Sequence, residues 1–401
     1  MEITVRETEK LLQAESKFVQ LGFSMLLERL KKLYSQDHSV ETLQQCANEI
    51  NAFFGKFEMI MAKDYENIAK SLSLKSDNPN QVLTFEKTSA MIREGKLLHI
   101  AGTEALLRKL PMGNWIGGST EYFISDDGGK VSGELLFVTE FPCKDFFIKS
   151  YDSTEIANIA NDAFDNGFSI LIIPFDSAVH IAYAENASGY ENIFMKNITG
   201  WIAGVNLNVH GQTPITVDGT TGEPYTNKAI ALHMKAPEGK TVTINIINIF
   251  EQNEEAPIIE FASEGFSATK CFVNGEEMVL ADYLTQNNID TRLPLVGDYS
   301  GNGINTSIKR VENGVVYFYA PVFRGIKYRI AKEISDYVSA FRDRTSKLSN
   351  EGVVFSCNCV LNFLYGGLEG VKIEGFSGPV TFGEIAYQLI NQTLVYVTVT
   401  D

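Results

Sequence analysis

From residue 97 onward the chain is a series of short apolar runs separated by polar, glycine- and asparagine-containing stretches. The runs include "LLHIAG" (97–102), "NWIGG" (114–118), "GELLFVTEF" (133–141), "SILIIPF" (169–175), "KAIALHM" (228–234), "TVTINIINIF" (241–250), "VVYFYAPV" (315–322), "GIKYRIA" (325–331) and "GVVFSC" (352–357). Runs of this length, rich in β-branched and aromatic residues, read as strands. Asn274-Gly275 and Asn313-Gly314 supply hairpin turns between neighbours. Helical spacing is rarer. It appears from Thr154 to Phe164, where Ile156, Ile159, Ala160 and Ala163 recur on one face, and again over about 334–347. Short strands with few long helices predict an α+β fold. Its sheets should be mixed and largely antiparallel rather than doubly wound.

The first 75 residues have a different texture. Val40, Leu43, Ala47, Ile50, Phe54, Phe57, Met61, Tyr65, Ile68 and Leu72 follow one another at steps of mostly three and four, the seam of a bundle or coiled coil. Leu12, Val19, Leu26, Leu30 and Leu33 give an earlier stripe, with the polar turn "SQDHSVETL" between the two. The pattern predicts an antiparallel helical hairpin over 1–75, packed on its own chain or serving as a dimerisation or signalling stalk. The polar "SLKSDNPNQ" (73–81) is the linker that follows. Two α+β domains are expected after it, over 82–256 and 257–401.

Charge narrows the partners. The formal net charge is -16, and an acidic surface repels phosphate backbones and anionic lipid. No apolar run reaches the roughly 18–20 residues of a membrane helix. The start, "MEITVRETEK", lacks an apolar signal core, so the expected location is the cytoplasm. In that compartment five scattered cysteines are free thiols.

Few motifs carry chemistry. The phosphate-binding, zincin, nucleophile-elbow and dinucleotide signatures are all missing. His99 and His233 sit in apolar runs and read as hydrogen-bonded core residues. His180 and His210 lie in polar stretches and remain as metal or axial ligands. Cys357 and Cys359 stand two apart at a strand end and would face one side. The simple reading is one buried thiol and one lining a pocket; the sharper one is a nucleophile or redox pair. Glu384 in "TFGEIA" is a candidate acid or base, or a partner for backbone amides. The glycines of "GNWIGGST" (113–120) would let backbone N–H groups approach a ligand, or serve a tight turn.

Taken together these segments resemble the FIST family, the F-box and intracellular signal transduction proteins. The resemblance rests on Phe355-Ser356-Cys357, on Gly375-Phe376 through Gly383-Glu384-Ile385, and on Asn391-Gln392-Thr393 leading into the last strand. Upstream, "CFVNGEEMVLADYL", "LPLVGD" (293–298) and "SIKRVENGVVYFY" (307–319) fit it. So do "LPMGNWIGGSTEYF" (110–123) and "FMKNITGWIAGVNLN" (194–208). It spans about 85–401. Members often carry an arginine soon after the "FSC" cysteine; here the chain reads Asn358-Cys359-Val360-Leu361, without one.

The resemblance implies tandem N- and C-terminal FIST domains and a non-catalytic sensory role. The ligand would be an amino-acid-like metabolite or, second, non-covalently held haem. The expected ligand-binding set is Gly117, Gly118, Ser119, Arg310, Cys357, Asn358, Gly383, Glu384, Asn391 and Gln392, with no metal. The signal would pass to a protein partner in trans, or through a homodimer, by way of residues 1–75. The alternatives are a thiol-dependent enzyme using Cys357 and a structural scaffold.

Overall fold

The structure is a computed structural model that describes residues 79–299, 301–345, 352–373 and 375–400. The expected hairpin over 1–75 lies outside the described residues. Residues 78–401 form one compact unit of mixed α+β architecture, with four six-stranded sheets and one three-stranded sheet among the described residues. No described helix is long and apolar enough to cross a membrane.

The first sheet runs Asn80–Thr84, Leu135–Phe141, Leu97–Gly102, Trp115–Ser119, Thr216–Asp218, Glu223–Tyr225 in spatial order. The second runs Gln388–Ile390, Glu384–Ala386, Asn197–Ala203, Gly167–Pro174, Ala229–Lys235, Phe146–Tyr151. The third places Thr393–Thr400 between Thr241–Asn248 and Val353–Cys359, then adds Gly378–Thr381, Tyr122–Ser125 and Gly128–Val131. Most neighbours are antiparallel. Parallel pairs join Leu97–Gly102 to Trp115–Ser119, Gly167–Pro174 to Asn197–Ala203, and Val353–Cys359 to Gly378–Thr381.

Strands from both sides of the expected 256/257 boundary therefore share sheets. Glu384–Ala386 pairs with Asn197–Ala203, while Tyr122–Ser125 pairs with Gly378–Thr381. The cores follow the sheets. Phe123, Phe137, Ile170 and Trp201 pack in one cluster with Phe355, Cys357, Ile390 and Val395. Exposed strand edges are costly, and each half covers edges of the other. A satellite core around Ile259, Tyr283, Phe318 and Tyr328 belongs to the later half alone.

Local chemistry explains several elements. Asn274 and Gly275 (φ 50° and 87°) and Asn313 and Gly314 (φ 51° and 78°) adopt the positive φ that a two-residue hairpin requires. The helix expected over 154–164 is instead a single 3₁₀ turn, Ile156–Asn158, followed by Ile159–Asp162. Its apolar positions are buried, yet no side chain caps either piece, and the chain turns extended at Ala163. The later helix is Tyr337–Thr345.

The glycines of "WIGGS" serve packing rather than a ligand. A Cβ on Gly117 would stand 2.9 Å from the Trp115 ring, and one on Gly118 would stand 2.6 Å from Ile172 and 2.7 Å from Trp201. Both residues pair on two sides within the sheet. Trp201 is fixed in turn by His99, whose Nε2 accepts from Trp201 Nε1 at 2.8 Å. His99 Nδ1 is buried without a partner, whereas both ring nitrogens of His233 are bonded, to Tyr151 and Ser169. Gly118→Ala should push the two packed side chains apart and cost about 1–3 kcal/mol. Equilibrium urea denaturation checks this; an unchanged midpoint would show that the contact relaxes freely.

Candidate functional site

The closing segment builds its polar centre from three strands. Gly378–Thr381 ends, Phe382 and Gly383 turn the chain, and Glu384–Ala386 enters the second sheet opposite Trp201. A hairpin through Tyr387 (φ 66°) leads to Gln388–Ile390, and Gln392 (φ 49°) redirects the chain into Thr393–Thr400. At Gly383 φ is 153°, and a Cβ there would lie 2.9 Å from Leu389.

Glu384 has no solvent exposure. Its Oε1 lies 2.9 Å from Thr381 Oγ1, and its Oε2 lies 2.8 Å from Thr393 Oγ1 and 3.3 Å from the Thr393 amide. Burial pushes the carboxyl up from 4.5 to about 8, with the hydrogen bonds from Thr393 and Thr381 pulling the other way. The neutral acid suits its surroundings. Thr381 Oγ1 also lies 3.2 Å from the Asn358 carbonyl and 3.1 Å from that of Gly383. A protonated Oε1 donates to Thr381 Oγ1 and leaves the threonine proton for one of these carbonyls.

The two thiols correct the expectation of a pocket-lining cysteine. Cys357 and Cys359 are each only 1% exposed. Cys357 Sγ donates to the Gly200 carbonyl at 3.4 Å. Burial first, and the nearby Glu384 second, hold both thiols well above the ordinary range, so neither is a ready thiolate.

Asn358 Oδ1 accepts from Asn362 Nδ2 at 2.9 Å, and Asn362 Oδ1 accepts from the Tyr337 hydroxyl. Polar atoms thus run from Tyr337 through Asn362 and the Asn358 peptide to Thr381 and Glu384. Asn358 Nδ2 and Asn391 Oδ1 are buried with no partner. One is a donor and the other an acceptor, and buried groups of this kind are commonly met by ordered water. Gln392 is already engaged: Oε1 accepts from Ser307 at 2.7 Å, and Nε2 donates to the Arg292 carbonyl at 3.2 Å. Asn305 Nδ2 ties the Asn391 carbonyl to the strand Asn302–Thr306 at 3.1 Å.

Tyr337 and Gln392 open onto a cavity of about 470 Å³. Phe250, Leu293, Ile334, Val338 and Tyr365 give it apolar walls, and Asp290, Arg292, Ser335 and Asp336 give it charge and hydrogen-bonding groups. Arg292 binds Asp290 through Nε and Nη2, with contacts of 2.7–3.0 Å, and this pairing holds the Asp290 carboxyl below its usual range. Hydrogen bonds from Ser339 likewise lower Asp336. The cavity therefore presents cation and carboxylates together, beside aromatic rings, at a volume suited to a small molecule.

The remaining expected residues lie elsewhere. Ser119 borders a second cavity of about 370 Å³, with Glu104, Thr120, Glu121 and Gln212. Its hydroxyl donates to the Gly204 carbonyl at 2.7 Å and accepts from the Ile215 amide at 2.9 Å. Arg310 is exposed, stacked over Tyr317 at 3.8 Å and paired with Glu312 at 3.0 Å. The expected set is thus split over the buried Glu384 cluster, two cavities and an outer strand. Sequence reasoning missed Arg292, Asp336, Tyr337 and Asn362. Their positions in the sequence carry no motif, and "LPLVGD" begins just after Arg292.

Metal chemistry finds no cluster of three or more His, Cys, Asp or Glu ligands among the described residues. His180, expected in polar surroundings, is 3% exposed between Phe175 and Phe266, because its helix turns it inward. His99 and His233 are spent in the core, and His210 is exposed. These histidines do not fit an axial ligand to haem. Cys143 borders a larger cavity of about 750 Å³, but its thiol already contacts the Asp145 and Lys235 carbonyls and burial raises it.

The fold and this polar centre occupy the stretch that defines the family. The chain belongs to a family of unknown function, DUF6976, whose family model matches residues 83–400. No curated protein and no solved structure matches it.

The buried acid gives a pH dependence with a definite sign. Glu384 titrates near 4.5 when unfolded and near 8 when folded. Between those values the folded chain keeps a proton that the unfolded chain has lost, so stability falls with rising pH by up to ~1.4 kcal/mol per unit. The loss levels off above the folded value. Glu384→Gln mimics the neutral acid and removes this slope. Urea midpoints measured from about pH 5 to pH 9 should therefore fall more steeply in the natural protein. Parallel curves would mean that Glu384 folds ionised.

Proposed function

We propose that this chain is a non-catalytic sensory protein of FIST type, which binds a small polar ligand in the cavity beside Tyr337, Arg292 and Gln392. One observation carries the reading. The cavity sits against the "NQT" motif, and Tyr337 links it by hydrogen bonds to the buried Asn362, Asn358 and Glu384. A ligand that moves Tyr337 acts on a network that a neutral acid holds together. A guanidinium and carboxylates beside aromatic rings suit an amino-acid-like metabolite, with Arg292 taking its carboxylate. Arg292 is the cation of this cavity, in a chain without the arginine that FIST members often carry after the "FSC" cysteine.

The thiol-enzyme alternative has less support. Cys357 is enclosed and bonded to a carbonyl, and its raised thiol disfavours attack at neutral pH. The haem alternative lacks a histidine at either cavity beside the motif residues. A cytoplasmic location and a protein partner in trans complete the reading.

Two measurements test it. Thermal shift against amino acids and small dicarboxylates should find a stabilising ligand. Arg292→Ala should weaken it at least about tenfold, or ~1.4 kcal/mol. No shift from any compound, or an unchanged affinity in the variant, would remove the ligand reading from this cavity. For the output, light scattering after gel filtration should show a dimer that becomes a folded monomer when residues 1–75 are deleted. A dimer that survives the deletion would place assembly elsewhere.

A further inference from the structure

The outer strand Thr241–Asn248 lacks any device that keeps other strands away. All eight of its residues pair with Thr393–Thr400, from Thr241 with Thr400 to Asn248 with Thr393. Among the described residues no strand lies on its other side. An unpaired edge presents a row of backbone N–H and C=O groups, and proteins blunt such edges with charge, proline, bulges or brevity. The other outer strands among the described residues follow that rule. None exceeds six residues, Phe146–Tyr151 carries Lys149, and Ile308–Glu312 carries Lys309, Arg310 and Glu312. By contrast "TVTINIIN" runs for eight residues with no charge, no proline, no glycine and no shift in register.

Its side chains suit a second strand of the same kind. Val242 and Ile244 pack on the core that holds Phe355 and Val395, while Ile246, on the same face by alternation, is 49% exposed. Thr241 and Thr243, on the opposite face, are exposed. Antiparallel pairing of two identical strands is self-complementary about a two-fold axis. With that axis at Ile244, Ile244 stands opposite Ile244 of the second copy, Val242 opposite its Ile246, and Thr243 opposite its Asn245. Branched aliphatic side chains then meet on one face, and hydroxyl meets amide on the other. Charge points the same way. Near a two-fold axis a charged residue faces its own copy, and like charges directly opposite destabilise a strand pair. In a chain of net charge -16 this strand carries none.

We propose that Thr241–Asn248 is a pairing edge for a second copy of this chain, which continues the third sheet across a two-fold axis in the register that sets Ile244 against itself. The outward backbone groups of the two strands satisfy each other, and Ile246 is covered by Val242 of the second copy. One strand pair covers less than the ~1,000 Å² that a stable complex needs. The contact therefore does not hold two chains together at gel-filtration dilution, and it adds to the assembly proposed for residues 1–75 rather than replacing it. Copies tethered elsewhere meet at this edge at a raised effective concentration. The pairing is independent of the cavity beside Tyr337.

Cysteine cross-linking of the full chain reads the register. Ile244→Cys sets two thiols opposite each other within disulfide reach, whereas Thr241→Cys leaves them six residues apart, about 20 Å along the strand. On mild oxidation of concentrated protein, Ile244→Cys should form its disulfide between copies at least about ten times faster than Thr241→Cys, with peptide mapping to locate the bond. Thr243→Cys combined with Asn245→Cys, on the other face, should cross-link in the same register. Adding Ile246→Lys, at an exposed position, charges the edge and should slow the cross-link by a similar factor with an unchanged melting temperature. Equal rates at 244 and 241, or a rate that Ile246→Lys leaves unchanged, would overturn the proposal. So would the absence of any cross-link between copies at both engineered pairs, which would leave the edge to a strand of another protein.

Discussion

The carboxyl of Glu384 is the contact on which the closing part of the fold depends. It reaches back to Thr381, at the end of one strand, and forward to Thr393, at the start of another. Its own strand belongs to a different sheet, beside Asn197–Ala203. One buried acid therefore fixes the junction where two sheets meet. A charged group there would need a compensating cation, and burial keeps the acid neutral against hydrogen bonds that favour its anion. Around it, Cys357 and Cys359 contribute bulk and weak hydrogen bonds rather than reactivity.

That junction gives the neighbouring cavity its meaning. Tyr337 and Gln392 belong to its wall and, through hydrogen bonds, to the frame behind it. Gln392 has spent its amide on Ser307 and on the Arg292 carbonyl, so it shapes the site. Arg292, Asp336 and Tyr337 line the opening, where the proposed ligand would meet them. A residue can thus mark a candidate site in the sequence while its own polar groups are spent on the frame.

Much of the local structure was legible in the sequence because its causes are local. Asn274-Gly275 and Asn313-Gly314 turn where their backbone freedom allows, and the runs from "LLHIAG" to "VVYFYAPV" form strands. The helix near 334–347 begins at Tyr337 rather than Ile334, and that near 154–164 is broken, because tertiary burial outweighs propensity in short segments. The sharing of sheets was not legible: nothing in "YFIS" shows that it will lie beside "GPVT", some 250 residues later. The same holds for the site. Glu384 stood out as a carboxylate after a glycine, but its neutral state comes from enclosure by distant residues. Gly117 and Gly118 looked like a ligand-facing turn until Trp115, Ile172 and Trp201 filled the space. His180 was misplaced because its polar sequence neighbours are not its neighbours in space.

The pairing of Thr241 with Thr400 carries a kinetic cost. The strand Thr393–Thr400 fills the place between Thr241–Asn248 and Val353–Cys359, and until it is synthesised both partners lack a neighbour. Loop closure over such a separation is slow, and the open ladders offer edges to other chains. A nascent chain on the ribosome carries those edges for as long as it takes to make the intervening residues. Production of this protein should therefore depend on chaperone capacity during translation more than the stability of its finished sheets would suggest.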